Sequence, residues 1–94
     1  MNISISEFYQ LPNYRQITIT FMGPTNTLGA RVKIQDKYQH DEVVLSYDYA
    51  IGSIAEQGMQ YLISKGFNPV CRCSTDTEDI ILCDNWGSEF VELK

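Results

Sequence analysis

Alternation of apolar and polar residues with a period of two runs through the first half of this chain and constrains its fold most. The pattern covers Arg15 to Phe21, returns from Ala30 to Gln35, and appears a third time from Glu42 to Tyr49. Because successive side chains of a β-strand point to opposite faces, each segment predicts a strand with one buried face. The loop-forming composition of residues 23–29 predicts that the first two strands form an antiparallel hairpin.

The period of the apolar residues changes in the middle of the chain to the spacing of a helix. Ser53 and Glu56 fit a capping box at its start, and Gly66 stands where a left-handed C-terminal cap is needed. We therefore predict one amphipathic helix, from Ile54 to Lys65. Gly58 weakens this helix by about 1 kcal/mol relative to Ala. We expect it to face the sheet and permit close packing.

The N-terminal segment has two interpretations. Ser4 and Glu7 fit a second capping box, which predicts a short helix continuing from Phe8 to Gln10. The alternative is an edge strand through Ile3 and Ile5.

The segment after the helix predicts further strands. Residues from Val70 to Ser74 and from Ile80 to Asp84 suggest a hairpin across the acidic loop Asp76–Asp79, and Glu89 to Leu93 suggests a last strand. The predicted order is β-β-β-α-β-β with a possible sixth strand. We expect one α+β domain over residues 1–94, in which a mostly antiparallel sheet of five or six strands carries the helix on one face.

Charge is segregated along the sequence. From Cys73 to Leu93 there are six carboxylates and no Lys or Arg, whereas Tyr14 to His40 holds four bases against one acid. The net charge of −5 disfavours non-specific binding to nucleic acid or to anionic membranes. The sequence shows neither a secretory signal nor a run of about 20 apolar residues. We expect a cytoplasmic protein that does not bind membranes.

Cysteine and histidine offer little chemistry. In a reducing cytosol Cys71, Cys73 and Cys83 are expected to be free thiols. A disulfide between Cys71 and Cys83, or a metal- or redox-responsive site, is the alternative. His40 has no nucleophile or carboxylate at a telling spacing, and no catalytic motif is present. We expect a protein that is not an enzyme and that has no catalytic residue, no cofactor and no metal.

Two sets of residues are candidates for binding a partner. The C-terminal stretch from Cys73 to Leu93, which we call the acidic third, predicts a surface that pairs with Arg or Lys of a partner. Trp86 is the predicted apolar anchor of this surface. Capping of the core edge is the alternative role of Trp86. The residues of this candidate surface are Asp76, Glu78, Asp79, Asp84 and Trp86. The alternative site is a basic face built from Arg31 and Lys33, extended by Arg15, with the Asn26 loop beside it.

The segment from Pro24 to Lys33 reads P-T-N-T-L-G-A-R-V-K, and a strand ending in Ser46-Tyr47-Asp48-Tyr49 follows. Here the chain resembles a group of small proteins of bacterial plasmids, phages and other mobile elements. They share a P-T-N-T-x-G-x-R-[IV]-K segment, then a strand ending in Tyr, then one helix. The resemblance covers residues 21–67 and leaves out the acidic third.

The resemblance implies a context, because small proteins of mobile elements often inhibit or modulate host machinery. Anti-CRISPR proteins are an analogy at the level of class. We therefore expect an inhibitor that contacts a basic surface of a host protein or ribonucleoprotein complex, one of host defence or nucleic-acid processing. The alternative is a small nucleic-acid-binding or regulatory module that uses Arg31 and Lys33. A homodimer through an edge strand, such as Glu89 to Leu93, is also possible.

Overall fold

Antiparallel strands form one open sheet in the computed structural model, which describes residues 3–86 and 90–93. Within these residues the sheet has five strands in the order β3-β2-β1-β5-β4. The elements in chain order are α1 (Ile5–Tyr9), β1 (Arg15–Met22), β2 (Arg31–Asp36), β3 (Asp41–Ser46), α2 (Ile54–Ser64), β4 (Pro69–Ser74) and β5 (Glu78–Cys83). The predicted α+β class is confirmed.

The central strand β1 joins two hairpins that are distant in sequence. It pairs with β2, where Ile19 lies opposite Ile34, and with β5, where Ile17 lies opposite Ile81. These four side chains share one face of the sheet and are almost completely buried. The register of the strands determines which side chains share a face. These four isoleucines therefore form part of the apolar surface against which α2 packs.

Helix α2 begins at Ile54 as predicted and ends at Ser64, one residue before the predicted end, and only the Ser53 half of the predicted capping box is observed. The Ser53 side chain accepts a hydrogen bond from the backbone N–H of Glu56 at 3.1 Å. Gly66 has a φ of 100°, and the N–H of Phe67 donates to the carbonyl of Leu62 at 3.0 Å. The left-handed residue ends the helix and turns Phe67 back into the core.

The core lies between α2 and one face of the sheet. Gly58 faces Ile19, which confirms the expected close approach of helix and sheet. Leu93 also reaches this core, and the Tyr61 hydroxyl donates to its carbonyl at 3.5 Å. The buried cluster comprises Ile17, Ile19, Val32, Ile34, Leu62, Phe67, Ile81, Cys83 and Leu93.

The N-terminal segment forms the short helix α1 and not an edge strand. Ser4 Oγ accepts from the backbone N–H of Glu7 at 3.2 Å, and the Glu7 carboxylate accepts from the backbone N–H of Ser4 at 3.2 Å. The predicted capping box is therefore complete. No residue of α1 is buried.

Two strand predictions are wrong, one because the strand ends early and one because no strand forms in the described residues. The predicted strand Glu42 to Tyr49 is observed as Asp41–Ser46, because the chain beyond Ser46 turns toward α2. The predicted last strand, Glu89 to Leu93, does not form in residues 90–93, and Glu89 lies outside the described residues. Leu93 is instead buried against the helix side of the sheet. None of the described helices has the length and apolar character needed to cross a membrane.

Candidate partner-binding site

The hairpin between β4 and β5 ends in a tight, hydrogen-bonded turn. The N–H of Thr75 donates to the carbonyl of Glu78 at 2.9 Å, and Thr75 Oγ1 accepts from the N–H of Glu78 at 3.1 Å. The N–H of Thr77 also approaches Thr75 Oγ1, at 3.4 Å. A threonine that bonds its own turn fixes the backbone there. The exposed Asp76 is therefore held at the tip of the hairpin.

Glu78 and Asp79 belong to strand β5 and not to the predicted loop. They point to opposite faces of the sheet, because Glu78 pairs with Thr20 and Asp79 with Ile19 in the ladder. The Asp79 carboxylate accepts from Ser74 Oγ at 2.7 Å and lies 3.6 Å from the Arg72 guanidinium. Its charge is thus partly compensated within the chain.

We call Asp76, Glu78 and Asp79 the acidic tip. Among the described residues, the two ion pairs are Arg72–Asp79 and Arg15–Asp36. Asp76 and Glu78 therefore have no cationic partner within ion-pair distance in the described part of the chain. The tip presents two uncompensated carboxylates on a backbone that its own turn holds.

The other two residues of the predicted surface lie at the opposite end of β5. Asp84 follows five residues after Asp79, which corresponds to about 16 Å along a strand. Its carboxylate accepts from the Asn68 side-chain amide at 2.8 Å. The structure therefore divides the five predicted residues into two groups at the two ends of one strand.

Trp86 is engaged within the chain. Its indole N–H donates to the carbonyl of Asn13 at 3.0 Å, and its ring centroid lies 5.0 Å from that of Tyr38. Tyr38 also contacts Phe90, with a centroid separation of 6.2 Å. Asn13 and Tyr38 are themselves exposed, and Trp86 is not part of the buried cluster, so its roles as an anchor and as a cap on the core edge both stay predictions.

The basic residues are placed on the face of the sheet that points away from α2, which we call the outer face. Arg31 lies opposite Met22 and Lys33 opposite Thr20, and both are half-buried. The exposed Asn26 lies in the loop before β2. That loop is closed by the N–H of Thr25, which donates to the carbonyl of Leu28 at 2.7 Å.

Arg15 does not extend this basic face, and the prediction that it does is wrong. It lies on the same side of β1 as Ile17, is completely buried, and pairs with the buried carboxylate of Asp36. Its guanidinium carbon lies 4.8 Å from the Phe67 ring centroid and 4.0 Å from that of Phe90. Arg15 is therefore a core residue whose charge is met by a carboxylate and two aromatic faces.

The three cysteines are free thiols in different surroundings. Cys71 lies opposite Leu82, and Cys83 opposite Pro69, so the alternative of a Cys71–Cys83 disulfide is wrong. Burial raises the pKa of Cys83 from 9.0 to about 11, although nearby Arg15 acts in the opposite direction. Cys71 and Cys73 are exposed. Within the described residues no three His, Cys, Asp or Glu side chains converge to hold a metal ion.

Sequence reasoning missed Gln57, which connects α2 to the end of β3. Its side-chain oxygen accepts from the N–H of Asp48 at 3.0 Å, and its amide donates to the carbonyl of Ser46 at 2.8 Å. Gln57 is almost completely buried. Gln57 comes directly before Gly58, which was expected to face the sheet. This position could have indicated that Gln57 is also close to the sheet and buried.

A groove of about 270 Å³ opens between α2 and the β4–β5 hairpin. Apolar side chains of Ala55, Met59 and Ile81 line it, and Ile81 is buried while the two helix residues are half-buried. Polar groups complete the lining, namely those of Ser53, Glu56, Gln60 and Arg72. The groove exists because α2 packs over β1 and β2 and leaves this side of the hairpin uncovered.

Known proteins offer one distant likeness. No protein family matches the chain, and no solved structure matches it. Among curated proteins, the phosphoglucosamine mutase of Psychrobacter cryohalolentis is 24% identical over 70 residues. These residues are 73% of this chain but 15% of the mutase, so the chain spans a small part of that enzyme's length. A likeness this weak and partial shows no family.

Proposed function

We propose that this chain is a small binding protein that inhibits a host defence or nucleic-acid-processing complex by contact, without chemistry of its own. The observation that supports the proposal is the acidic tip. Asp76 is fixed by the turn of a hairpin, and Asp76 and Glu78 have no cationic partner among the described residues. The resemblance of residues 21–67 to proteins of mobile elements supplies the host context.

The tip suits a basic partner for two physical reasons. A carboxylate whose backbone is already ordered loses less entropy on forming a charge-assisted hydrogen bond with Arg or Lys. The net charge of −5 also accelerates approach to a positively charged surface over longer distances. Surfaces that bind phosphates are rich in Arg and Lys, so a protein that covers one excludes its nucleic acid.

Charge-neutral variants test this role directly. The tip variant carries Asp76→Asn, Glu78→Gln and Asp79→Asn, and the matched control carries Asp41→Asn, Glu42→Gln and Asp48→Asn near the edge strand β3. Both variants change the net charge by the same amount. A difference between them therefore reports position and not total charge.

The measurement is affinity capture from bacterial cytosol with quantitative mass spectrometry, followed by a titration of the captured complex at several salt concentrations. We expect the control to retain the partner and the tip variant to lose at least tenfold in affinity. We also expect a weaker dependence on salt for the tip variant. Equal capture by both variants, with unchanged salt dependence, contradicts the proposal.

A second candidate function rests on the outer face. Arg31 and Lys33 lie there side by side in β2, and Arg31 Nε is buried without a hydrogen-bond partner among the described residues. The two cationic side chains suit the phosphates of a nucleic acid, and Glu78 lies on the same face with Thr20 between it and Lys33. Gel shift at low salt with single- and double-stranded probes separates the two functions. Strong binding that Arg31→Ala and Lys33→Ala abolish favours this second candidate.

A further inference from the structure

Helix α1 carries an apolar face that nothing in the described chain covers. Ile5, Phe8 and Tyr9 follow the i, i+3, i+4 spacing that places side chains on one side of a helix. They are 74%, 54% and 79% exposed. Ile3 and Leu11 beside them are also exposed. We call residues 3–11 the N-terminal arm.

The arm is short for a helix that stands alone. Isolated helices of fewer than about 12 residues are marginal in water, and most helical stability in proteins comes from packing an apolar face. The capping box of Ser4 and Glu7 satisfies the backbone at the start of α1 but buries no apolar surface. A helix of five residues with all its side chains exposed is therefore expected to gain its stability from a surface outside the arm.

The molecule is also more extended than its length predicts. Its radius of gyration is 15.2 Å, and its principal extents are 52 × 32 × 23 Å. A compact chain of this size has a radius of gyration of about 12 Å.

We propose that the arm of each copy binds the groove of a second copy, so that two chains exchange arms in a symmetric dimer. The groove offers the matching chemistry, because Ala55, Met59 and Ile81 give it an apolar lining. Its volume of about 270 Å³ accommodates one or two aromatic side chains of the arm. Each copy carries one arm and one groove, so a two-fold arrangement fills both.

The exposed apolar area of the two arms sets an upper limit on what arm exchange can bury from them. The five apolar side chains of one arm expose on the order of 600 Å², given that a single aromatic residue can bury about 150–250 Å². Full burial of both arms would remove about 1,200 Å², of which the groove itself covers one or two side chains per arm, so the surface around the groove has to cover the rest. Specific interfaces bury roughly 1,200–2,000 Å² in total.

Docking of the arm requires Glu56, a charged residue of the groove lining that has no ion pair among the described residues, to stay in contact with solvent. The single charged side chain of the arm is Glu7, which lies between the apolar positions 5, 8 and 9 in sequence and accepts hydrogen bonds from Ser4. A helix that places Ile5, Phe8 and Tyr9 on one side leaves Glu7 on another. The groove adjoins the acidic tip through the Arg72–Asp79 ion pair, but the inference does not use Asp76 or Glu78.

Three variants test the exchange by sedimentation velocity and light scattering at about 100 µM. The arm variant is Ile5→Ser with Phe8→Ser, and the groove variant is Ala55→Arg. The control is Leu28→Ser, which removes a side chain that is 50% exposed in a loop outside both surfaces. Because the arm residues lie outside the core of the single chain, the arm variant should keep the sheet and helix α2 in its circular dichroism spectrum, whereas its melting temperature should fall to that of a monomer, since dimerisation stabilises the folded chain.

We expect the unmodified chain and the control to be dimers, and the arm and groove variants to be monomers. An equimolar mixture of the two variants should regain a weaker dimer, because one intact arm can still bind one intact groove. A monomeric unmodified chain, or a dimer that survives in the arm variant, overturns the proposal. A dimer that survives in the groove variant overturns the assignment of the groove.

Photo-cross-linking locates the docked arm independently of these variants. A photoreactive amino acid replaces Phe8 in a mixture of ¹⁴N- and ¹⁵N-labelled chains. We expect cross-links that join light and heavy chains and end in residues 53–60 or at Arg72. Cross-links confined to a single chain, or ending elsewhere, contradict arm exchange into this groove.

Discussion

A Cβ atom on Gly58 would lie 2.8 Å from Cγ1 of Ile19 and closer still to its Cδ1, so helix α2 meets the central strand where only glycine fits. We predict that Gly58→Ala lowers the free energy of unfolding by about 1–2 kcal/mol. The gain in helix propensity is about 1 kcal/mol, and overpacking a tight core costs typically 1–3 kcal/mol or more. The clash prevails because Ile19 is completely buried and touches the new atom along its whole side chain. Urea denaturation measures the change.

Gly29→Ala is the control for this substitution, because a Cβ atom there meets nothing within 4 Å. We expect it to change stability by less than about 0.5 kcal/mol. Ile19→Val combined with Gly58→Ala removes the nearest clashing atom and should recover part of the loss. A Gly58→Ala variant that is more stable than the original chain would show that α2 can move away from β1 without loss.

The buried pair Arg15–Asp36 leads to a second prediction. Asp36 also accepts hydrogen bonds from the backbone N–H groups of Tyr38 at 2.9 Å and Gln39 at 3.3 Å. We predict that Asp36→Ala destabilises the chain by about 3–5 kcal/mol, since it leaves the Arg15 charge buried without its carboxylate. Asp41→Ala, at the start of β3, should change stability far less.

A double-mutant cycle measures how strongly the two residues are coupled. Arg15→Met with Asp36→Ala removes both charges, and its loss of stability in urea should be smaller than the sum of the two single losses. Additive losses would mean that Arg15 and Asp36 contribute independently, contrary to their direct contact.

The third prediction concerns thiol reactivity. The thiolate is the reactive form of cysteine, and burial raises the pKa of Cys83 to about 11. With a disulfide reagent at pH 8, we predict rapid labelling of the exposed Cys71 and Cys73, and labelling of Cys83 only after unfolding. Rapid labelling of three thiols in the folded chain would contradict the burial of Cys83.

The same shift in pKa makes stability fall in alkaline solution. Between about pH 9 and pH 11 the folded chain keeps the Cys83 proton, whereas the unfolded chain loses it. The unfolded state then binds fewer protons, so the free energy of unfolding decreases as pH rises through this range. Comparison with Cys83→Ala isolates the effect from other groups, because that variant should lack this part of the decrease.

The fourth prediction concerns Gln57, which holds the chain after β3 against α2. Gln57→Leu keeps a similar size but leaves the N–H of Asp48 and the carbonyl of Ser46 without this partner. We predict a loss of about 1–3 kcal/mol in the free energy of unfolding. Hydrogen exchange should quicken at Asp48 first, whereas Gln60→Leu on the exposed part of the same helix should leave that amide protected.

The strands and α2 were predictable because their signals are local. Alternation fixed the faces of Ile17 and Ile19, and the caps at Ser53 and Gly66 fixed the ends of the helix. The same alternation assigned Arg15 to the buried face. Arg15 was nevertheless predicted to be exposed, because charged residues usually are. The sequence does not show that Asp36 will form an ion pair with the Arg15 guanidinium and so permit its burial.

The errors in the candidate site arise from contacts between distant residues. The alternation through Tyr47 and Tyr49 continues past the true end of β3, since the side chain of Gln57 captures the N–H of Asp48. At the acidic tip, Thr75 closes the turn two residues earlier than composition suggests, which places Glu78 in the strand. A hydrogen bond from a side chain to a distant backbone N–H, or to the backbone of a turn, does not change the hydrophobic periodicity of the sequence. Such contacts therefore could not be predicted from the pattern of apolar residues.

The position of β1 at the centre of the sheet also sets the order in which the chain can assemble. Its partner β2 follows directly, but its other partner, β5, leaves the ribosome only after β3, α2 and β4. Until residues 78–83 have been synthesised, the backbone groups along one edge of β1 have no partner strand. Ile17 and Ile19 also lack the neighbouring side chain of Ile81 on the buried face. A nascent chain that stops after α2 therefore presents an unpaired, apolar strand edge. The hairpin of β4 and β5 then pairs this open edge of β1 in one step.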